Sequence, residues 1–584
     1  MTNRERMQSE WEEAVQLMQS QFEKAYSTVP RYSCEDGCVL VESQAKSGET
    51  VMTRLSNFAP LIVEEVSRDN GADVLLEFAI EAEGQGGRRF PSVRIPAKSF
   101  AGMGWVLENY GAQANICAGT TKRDQLRYAI QAASTPTRRT VYSHTGWRKR
   151  NGKWCYLYNG GAIGADGLDV ELEGNLSAYA LPSVPDISLA ESVQTSADFL
   201  NVGALRVTAP LLLAMYLAPL CEFARGDRPA FIPFVVGATG TRKTTVSALA
   251  MSHFGSFGNK QLTASFADTA NSIIRKGFIV KDAPLLVDDY HPTTDYRTTE
   301  NMKATAQRLA RAYGDLAERG RANPDGSIRQ ANPPRGLCIV SGEESPDVGE
   351  SGTARYYIIE MHAGDVEASE HLSTMQEKAR NGYLWTAMRG YIEWLAPMAD
   401  RLPERLQKLF ERHRAEATKQ LQGTHGRVVE AVAWLLVALD LAEAYFKENG
   451  VTISREQIEA AVIQNAADQS ESMKGEKPID MFLNALRELH ATGRVHIAGL
   501  DENAAAVLVG FLKDPYLHLY PRASYGAVFD LFRTQGSRFP LGSQAIWRRM
   551  IDAGIATDHS DGQKRTKRIR RDLFEREERQ VTLI

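Results

Sequence analysis

The segment FVVGATGTRKTTVSAL, residues 234–249, constrains the fold of this chain more than any other stretch. It nearly fits the phosphate-binding pattern G-x-x-x-x-G-K-[ST]: Gly237, Lys243 and Thr244 fit, whereas Arg242 occupies the place of the second glycine. A β-branched and aromatic run, RPAFIPFVV, precedes the loop, and a predicted helix, TTVSALAMSHF, follows it. Strand, loop and helix in this order bring backbone N–H groups together at a helix N-terminus, where phosphate binds. The alternative is an ordinary Gly/Thr-rich turn before a helix.

The loop predicts an ATP site that also uses Mg²⁺. Lys243 is expected to contact the β- and γ-phosphates, and the Thr244 hydroxyl to reach Mg²⁺. Gly240 is expected to supply the unusual backbone turn of the loop. Arg242 falls at the start of the helix, where its side chain can point outward; glycine is favoured there for close approach but need not be obligatory. The predicted nucleotide-binding residues are Gly237, Ala238, Thr239, Gly240, Thr241, Arg242, Lys243, Thr244 and Thr245.

About fifty residues further on, the apolar run KDAPLLVDDYHP ends in two acids, Asp288 and Asp289. A central parallel strand is expected to be apolar, and carboxylates at its C-terminal end face the nucleotide crevice. Asp288 is predicted to hold Mg²⁺ through its water shell, and Asp289 to orient and polarise the attacking water. A helix cap or a turn is the alternative interpretation of the acid pair.

Two more apolar runs follow at similar intervals. RGLCIVSGEESP ends in Ser341, which is predicted to lie beside the γ-phosphate and to help position the water. SGTARYYIIEM carries Arg355 at the start of another strand. In ring ATPases, an arginine at this place reaches into the site of the neighbouring subunit and stabilises charge in the transition state. The alternative is a surface strand arginine. The predicted catalytic residues are Lys243, Asp289, Ser341 and Arg355.

Length and texture predict a multidomain α/β protein. A chain of 584 residues is too long for one core. We expect a helical N-terminal segment at 1–50, a β-rich accessory domain at 51–190, a P-loop core with a parallel sheet flanked by helices at 191–395, a helical region at 396–475 and a winged-helix-like domain at 476–584. The N-terminus lacks an apolar signal core, and Pro219 interrupts the most apolar stretch, so a cytoplasmic protein without membrane spans is expected.

The order of these motifs resembles the compact AAA+ core of superfamily III helicases. It is most similar to the phage-, plasmid- and integrative-element-encoded helicase-like proteins of the domain-of-unknown-function 927 type. The resembling segments, which lie between about residues 50 and 365, are HTGW (144–147) followed by YNGGAIG, GATGTRKT (237–244), LLVDDYHPT (285–293), ERGRANPDGSIR (318–329) and PPRGLCIVSGEESP (333–346). Members of that group tolerate bulky residues at the place of Arg242.

The resemblance implies ATP hydrolysis coupled to movement on single- or double-stranded DNA, in the replication of a mobile element. The arginine acting in trans implies a ring, expected to be a hexamer. No primase constellation is present in the sequence, so a separate primase would be a partner. Two other functions stay open: a DNA-binding ATP-dependent switch or loader with little hydrolysis, and a protein-remodelling AAA+ ATPase.

DNA contacts are predicted in two places, although a formal charge of −4 gives no global sign of nucleic-acid binding. Pro324 to Ser327 form a turn flanked by Arg321 and Arg329, and the resemblance implies that this hairpin faces the pore. A solvated surface hairpin is the alternative. Arg319 and Arg335 are assigned either to this surface or to the nucleotide site, and Arg427 to the γ-phosphate. In the C-terminal domain, the predicted phosphate contacts are Arg548, Arg549, Lys564, Arg565, Lys567, Arg568, Arg570 and Arg571.

Overall fold

Three large hydrophobic cores organise the described part of the chain. They comprise side chains from Phe22 to Ala133, from Trp147 to Ala466 and from Phe482 to Phe574. The computed structural model describes residues 21–45, 48–224, 226, 228–258, 262–293, 295–316, 321–322, 328–329, 332–346, 348, 350–475, 478–501, 506–535, 539, 541–561 and 564–575.

The first core lies between antiparallel strands and short helices. Helix α1 covers residues 21–27, and the strands are β1 Tyr32–Glu35, β2 Cys38–Gln44, β3 Thr50–Arg54, β4 Phe58–Asp69, β5 Val74–Gly84, β6 Arg88–Arg89 and β7 Val93–Pro96. The helices are α2 Ala97–Phe100, α3 Trp105–Tyr110 and α4 Lys122–Ala133. Strand β8 Thr137–Tyr142 pairs in parallel with β4 and with β12 Asp169–Val170.

The sequence predicts a helical segment at 1–50, but the strands β1 and β2 lie within this range. These strands pair antiparallel, with Glu35 opposite Cys38. The turn between them contains Asp36 and Gly37, both at positive φ (45° and 65°), which is the Asp-Gly geometry of a tight hairpin. A β-carbon on Gly37 would lie 2.4 Å from the Gly84 carbonyl oxygen, so glycine is required there. The accessory β-structure therefore begins before residue 50.

The hairpin strands that follow the HTGW segment pack with the second core rather than with the first core. They are β9 Gly146–Arg150, β10 Lys153–Tyr158 and β11 Gly161–Ile163. Trp147 and Tyr156 belong to the second hydrophobic core, and the Trp147 indole nitrogen donates to the Pro219 carbonyl at 2.8 Å. The first hydrophobic core thus ends before Gly146 and the second begins there, whereas the predicted domain boundary lies at residue 190.

A five-stranded parallel sheet forms the centre of the second core. Its strands are β13 Ile232–Val236, β14 Ala264–Ser265, β15 Pro284–Tyr290, β18 Leu337–Gly342 and β19 Tyr356–Glu360, in the order β14-β15-β18-β13-β19. The strands are apolar and buried because helices cover the sheet. The strand that precedes the phosphate loop is thus separated from the acidic strand by β18, which carries Ser341.

Helices surround this sheet and extend beyond it. They are α5 Leu189–Asp198, α6 Leu205–Leu217, α7 Lys243–Met251, α8 Ala270–Ile279, α9 Tyr296–Gly314, α10 Glu350–Thr353, α11 Glu370–Asn381, α12 Tyr383–Leu395, α13 Leu402–Gln420, α14 Gly426–Glu448 and α15 Arg455–Gly475. The chain is helical from Glu370, earlier than the predicted start at 396. Helix α14 is buried along most of its length, as its nearly continuous apolar sequence requires.

The C-terminal domain combines a five-stranded sheet with four helices that share one hydrophobic core. Its elements are α16 Pro478–Ala491, β20 Val495–Ala498, β21 Val507–Lys513, β22 Tyr516–Leu519, α17 Pro521–Thr534, α18 Ser543–Asp552, β23 Ala556–Asp561, β24 Lys564–Arg570 and α19 Arg571–Glu575. The strand order is β20-β21-β22-β24-β23. The succession of α17, α18 and the β23–β24 hairpin has the element order of a winged helix.

Candidate nucleotide site

The phosphate loop packs tightly against the end of β19. A β-carbon on Gly237 would lie 2.3 Å from the Met361 carbonyl oxygen, so only glycine fits at this position. The Gly237 amide donates to the Gly342 carbonyl at 3.2 Å, and the Met361 amide donates to Val236 at 2.7 Å. Gly240 adopts φ 88°, as expected for the residue that turns the loop.

Arg242 is the N-cap of α7 and has left-handed backbone angles, φ 67° and ψ 28°. The pattern favours glycine here because of this positive φ, not only because of close approach to phosphate. The side chain leaves the loop, and its Nη1 donates to the Val366 carbonyl at 2.9 Å. The arginine thus joins the phosphate loop to the segment that follows β19.

Three side chains form a compact oxygen cluster at the start of α7. The Thr244 hydroxyl lies 3.1 and 3.3 Å from the two carboxylate oxygens of Asp288. The Ser341 hydroxyl donates to the same carboxylate and is fully buried. Hydroxyl and carboxylate oxygens are the donors that Mg²⁺ prefers. The oxygen atoms present therefore suit a Mg²⁺ ion held by Thr244 and Asp288, the two predicted metal ligands.

A β-bulge separates the two acids of β15. The pairing of β15 with β18 shifts by one residue between Val287 and Tyr290, and Asp289 adopts φ 71°. Bulges redirect side chains that would otherwise alternate across a strand. Asp289 is consequently exposed, and its carboxylate lies 2.9 Å from Nδ1 of His291.

Lys243 is surrounded by carboxylates, and one of them was not predicted. Its ammonium donates to the Ala238 carbonyl of its own loop at 2.9 Å. Partial burial lowers the pKa of Lys243, while the carboxylates of Glu343, Asp288 and Asp289 oppose that shift. Glu343 also accepts a hydrogen bond from the Thr239 hydroxyl. Its place directly after the strand that carries Ser341 is the sequence signal that could have identified it.

A cavity of about 620 Å³ lies between the phosphate loop and the segment after β19. Residues 236–242 line one side, and Glu360, Met361, His362 and Val366 lie among the residues of the other. This volume is typical of ligand cavities. Thr241 is buried, and its hydroxyl donates a hydrogen bond to the Ala238 carbonyl at 2.8 Å. Thr245 lies outside this cavity and lines a separate one of about 210 Å³, together with Arg380.

Arg355 lies at the opposite end of the sheet from the phosphate loop of its own chain. Ile232 pairs with Tyr356 at one end, and Val236 pairs with Glu360 at the other, where the loop begins. The guanidinium of Arg355 makes a bidentate contact with Asp315, at 2.8 and 3.0 Å. Its side chain is only 12% exposed.

Arg427 joins the same carboxylate. It donates to Asp315 at 3.0 Å and to the Gly314 carbonyl at 3.1 Å. The two arginines lower the pKa of Asp315, although its partial burial opposes that shift. The assignment of Arg427 to the γ-phosphate is therefore wrong within one chain, because Arg427 is held at the end of the sheet remote from the loop.

Arg335 belongs neither to a DNA surface nor to the nucleotide site. Its guanidinium stacks 3.8 Å from the centre of the Phe278 ring and donates to the carbonyls of Phe278 and Asn70, at 2.7 and 2.8 Å. Burial lowers the pKa of Arg335 to about 10. The arginine connects the N-terminal β-structure to the second core, which a linear sequence pattern cannot indicate.

The predicted DNA-binding hairpin is described only in part. The strands β16 Arg321–Ala322 and β17 Ile328–Arg329 pair antiparallel, with Arg321 opposite Arg329. The side chains of both arginines, all of Arg319 and the turn at 323–327 lie outside the described residues.

The basic run of the C-terminal domain is a central strand, so its residues alternate between the two faces of the sheet. Ile569 contributes to the core. Arg565 and Lys567 therefore lie on the core-facing side of the sheet, and Arg568 and Arg570 lie on the opposite side. Several of the charges are paired: Lys567 with Asp558, Arg570 with Asp572, and Arg571 with Glu575 and Asp514. Arg568 lies 4.3 Å from the centre of the Tyr516 ring. Arg548 and Arg549 are exposed on α18, and the side chain of Lys564 lies outside the described residues.

Comparison with solved structures identifies the fold. The structure described as "SCCmec type IV Cch - active helicase" matches with a TM-score of 0.57 and 13% identity, over 93% of this chain and 98% of that one. The apo C-terminal region of NrS-1 matches with a TM-score of 0.32 and 11% identity, over 88% of this chain and 96% of that one. No protein-family model and no curated protein sequence matches the chain.

The chain therefore has a P-loop-type α/β fold similar to that of the Cch structure. The similarity extends over nearly the whole length of both chains and so includes the domains on either side of the sheet. It concerns the fold and does not identify the domain-of-unknown-function 927 family. Within the described part of the chain, no helix is long and apolar enough to cross a membrane.

Proposed function

We propose that the protein is an ATP hydrolase that couples turnover to translocation on DNA or to its unwinding. The observation that carries the proposal is the contact of Thr244 and Ser341 with the Asp288 carboxylate at the end of the phosphate loop. Residues from the helix, the acidic strand and the strand between them converge there, although they are distant in sequence. An ordinary Gly/Thr-rich turn gives no reason for this convergence.

Each side chain has a distinct role in the proposed reaction. The loop amides and Lys243 bind the triphosphate, and Thr244 and Asp288 would hold Mg²⁺. The ion, when bound, neutralises charge on the β- and γ-phosphate oxygens. Asp289, which the bulge exposes, accepts a proton from the attacking water and orients it. Ser341 holds Asp288 in place and lies between the two motifs.

The proposed assembly is a ring, taken to be a hexamer. Arg355 lies about five strand residues, roughly 16 Å, from the loop of its own chain, too far to contact the same nucleotide. The bound γ-phosphate that it can reach is that of a neighbouring copy. DNA would pass the hairpin that contains Arg321 and Arg329 and contact the C-terminal domain, in the replication of a mobile element with a separate primase.

The test is ATP turnover of the purified protein with and without single-stranded DNA. We expect turnover to rise with DNA and to fall at least 100-fold in both Lys243→Ala and Asp289→Asn, since each removes a group that acts on the phosphates or the water. The helical content of both variants should match that of the wild-type protein. Equal turnover in wild-type and variant proteins would refute the assignment of the site.

A second candidate function is an ATP-dependent switch or loader with little hydrolysis. The contact of Asp289 with His291 favours it, because this carboxylate already pairs with a side chain outside the phosphate loop. A switch would bind ATP with Mg²⁺ and assemble on DNA without turnover. ATP binding by equilibrium dialysis, combined with an absence of phosphate release, would favour this second function.

A further inference from the structure

A cationic groove lies at the end of the sheet where Arg355 is located. The cavity has a volume of about 480 Å³ and lies between the ATPase core, the start of α14 and the C-terminal domain. Its lining includes Arg311 of α9, Arg355 and Arg549 of α18, together with His425, Gln307 and Ser351. Residues of three separate elements thus bring three guanidinium groups to one depression.

The three arginines differ in how they are held. Arg355 is nearly buried and is bound by Asp315 and Ser351. Arg311 and Arg549 are exposed, and neither has a carboxylate partner among the described residues. Gln307 and Arg311 are four residues apart on α9, so they present one face of that helix to the groove. The groove therefore offers two accessible cations beside a third that is fixed.

We propose that this groove receives the triphosphate of ATP bound to a second copy of the chain, and that Arg549 and Arg311 bind it alongside Arg355. The inference rests on the proposed function and extends it, because it assigns a residue of the C-terminal domain to the nucleotide interface. Guanidinium groups bind phosphate oxygens in bidentate geometry, which suits several arginines around one polyphosphate. Arg549 then acts at the subunit interface rather than on DNA.

This arrangement gives the C-terminal domain a direct effect on assembly. A ligand shared between two copies links binding of ATP to association of the chains. Loss of one guanidinium from such a site weakens association, but ATP stays bound to the phosphate loop of its own chain. The effect of removing Arg549 should therefore appear in assembly and in turnover, not in the affinity of an isolated chain for ATP.

The test measures assembly in the Asp289→Asn background, which binds ATP but does not consume it. Sedimentation velocity with ATP and Mg²⁺ should show assembly that requires nucleotide. Adding Arg549→Ala should raise the protein concentration needed for half-maximal assembly at least tenfold, and Arg549→Lys should restore part of the loss. Arg533→Ala is the matched control, since Arg533 is an exposed arginine of the same domain, 72% exposed and paired with Asp530.

Two results would overturn the inference. One is that the Asp289→Asn protein does not assemble when ATP and Mg²⁺ are added. The other is that Arg549→Ala assembles like Arg533→Ala. Neither result tests the proposed function, which is measured separately as ATP turnover of the wild-type protein. Conversely, if DNA does not stimulate turnover of the wild-type protein, the assembly experiment still tests the inference.

Discussion

At the scale of single residues, Arg242 explains how a loop can depart from its pattern and keep its shape. A residue with a β-carbon costs about 1 kcal/mol or more in the left-handed region, a cost that glycine avoids. The bond from Arg242 to the Val366 carbonyl offsets this cost, because hydrogen bonds from charged groups contribute about 1.5–3 kcal/mol when they are shielded and less when exposed. The hydrogen bond to Val366 thus compensates for the arginine at a position where the pattern has glycine.

The comparison of two substitutions at this position separates the opposing effects. Arg242→Ala loses the hydrogen bond and keeps the unfavourable φ, so we expect the free energy of unfolding to fall by about 1–2 kcal/mol. Arg242→Gly loses the bond but relieves the backbone, so its loss should be smaller by about 1 kcal/mol. Urea unfolding measures both. An alanine variant as stable as the glycine variant would show that the backbone angle is not strained.

His144 makes stability depend on pH. The ring is buried, its Nδ1 lies 2.8 Å from the Thr145 carbonyl, and the cations of Arg335, Lys281 and Arg148 surround it. Burial lowers the pKa of His144 to about 3, below the usual value near 6.5. The unfolded chain therefore binds a proton first as the pH falls, and stability that is fully present above pH 6.5 is lost below it.

Between pH 6.5 and 5 the wild-type free energy of unfolding should fall by up to about 1.4 kcal/mol per pH unit for each such histidine. Burial also lowers the pKa of His253, to about 4, so His253 likewise makes the protein less stable as the pH falls. In His144→Gln the slope should drop by about half, since His253 remains. Urea midpoints at several pH values give the slope, and an unchanged slope in the variant would contradict the assignment to His144.

At the scale of elements, the β9–β10 hairpin is attached to the core through its tryptophans. Trp147 is 2% exposed and donates to the Pro219 carbonyl, whereas the partly exposed Trp154 donates to Asp400 at 2.8 Å. Trp147→Phe leaves a buried carbonyl without its donor and should cost about 2–3 kcal/mol. Trp154→Phe is the matched control and should cost less than about 1 kcal/mol. Thermal or urea unfolding compares them; equal losses would mean that the buried bond contributes little.

The elements that could be predicted from the sequence are those with local signals. The phosphate loop, its flanking strand and helix, and the acidic strand were identified because glycines, apolar runs and adjacent acids occur in one segment. The β1–β2 hairpin was missed although Asp36 and Gly37 mark its turn. The distant partners of Arg335, Arg355 and Arg427, which are Asn70, Asp315 and Gly314, could not be predicted, because each lies at least 40 positions from its arginine.

At the scale of the whole molecule, the described part of the chain contains three large cores joined by polar contacts. The first and second meet where Thr145 donates to the Lys281 carbonyl at 2.8 Å and where Arg335 donates to the Asn70 carbonyl at 2.8 Å. The second and third enclose the cationic groove. The second core thus contacts the first core and the C-terminal domain through different residues.

The position of the hairpin has a practical consequence for dissecting the protein. A fragment starting at residue 191 would lack Trp147, Tyr156 and Tyr179, all buried in the same core as the sheet, and would leave the Asp282 carboxylate without its amide donor. Such a fragment would expose a large apolar surface and should be prone to aggregation. The smallest autonomous unit that contains the parallel sheet is therefore expected to begin before Gly146 and to end near Gly475, and limited proteolysis of the intact chain should yield boundaries close to these.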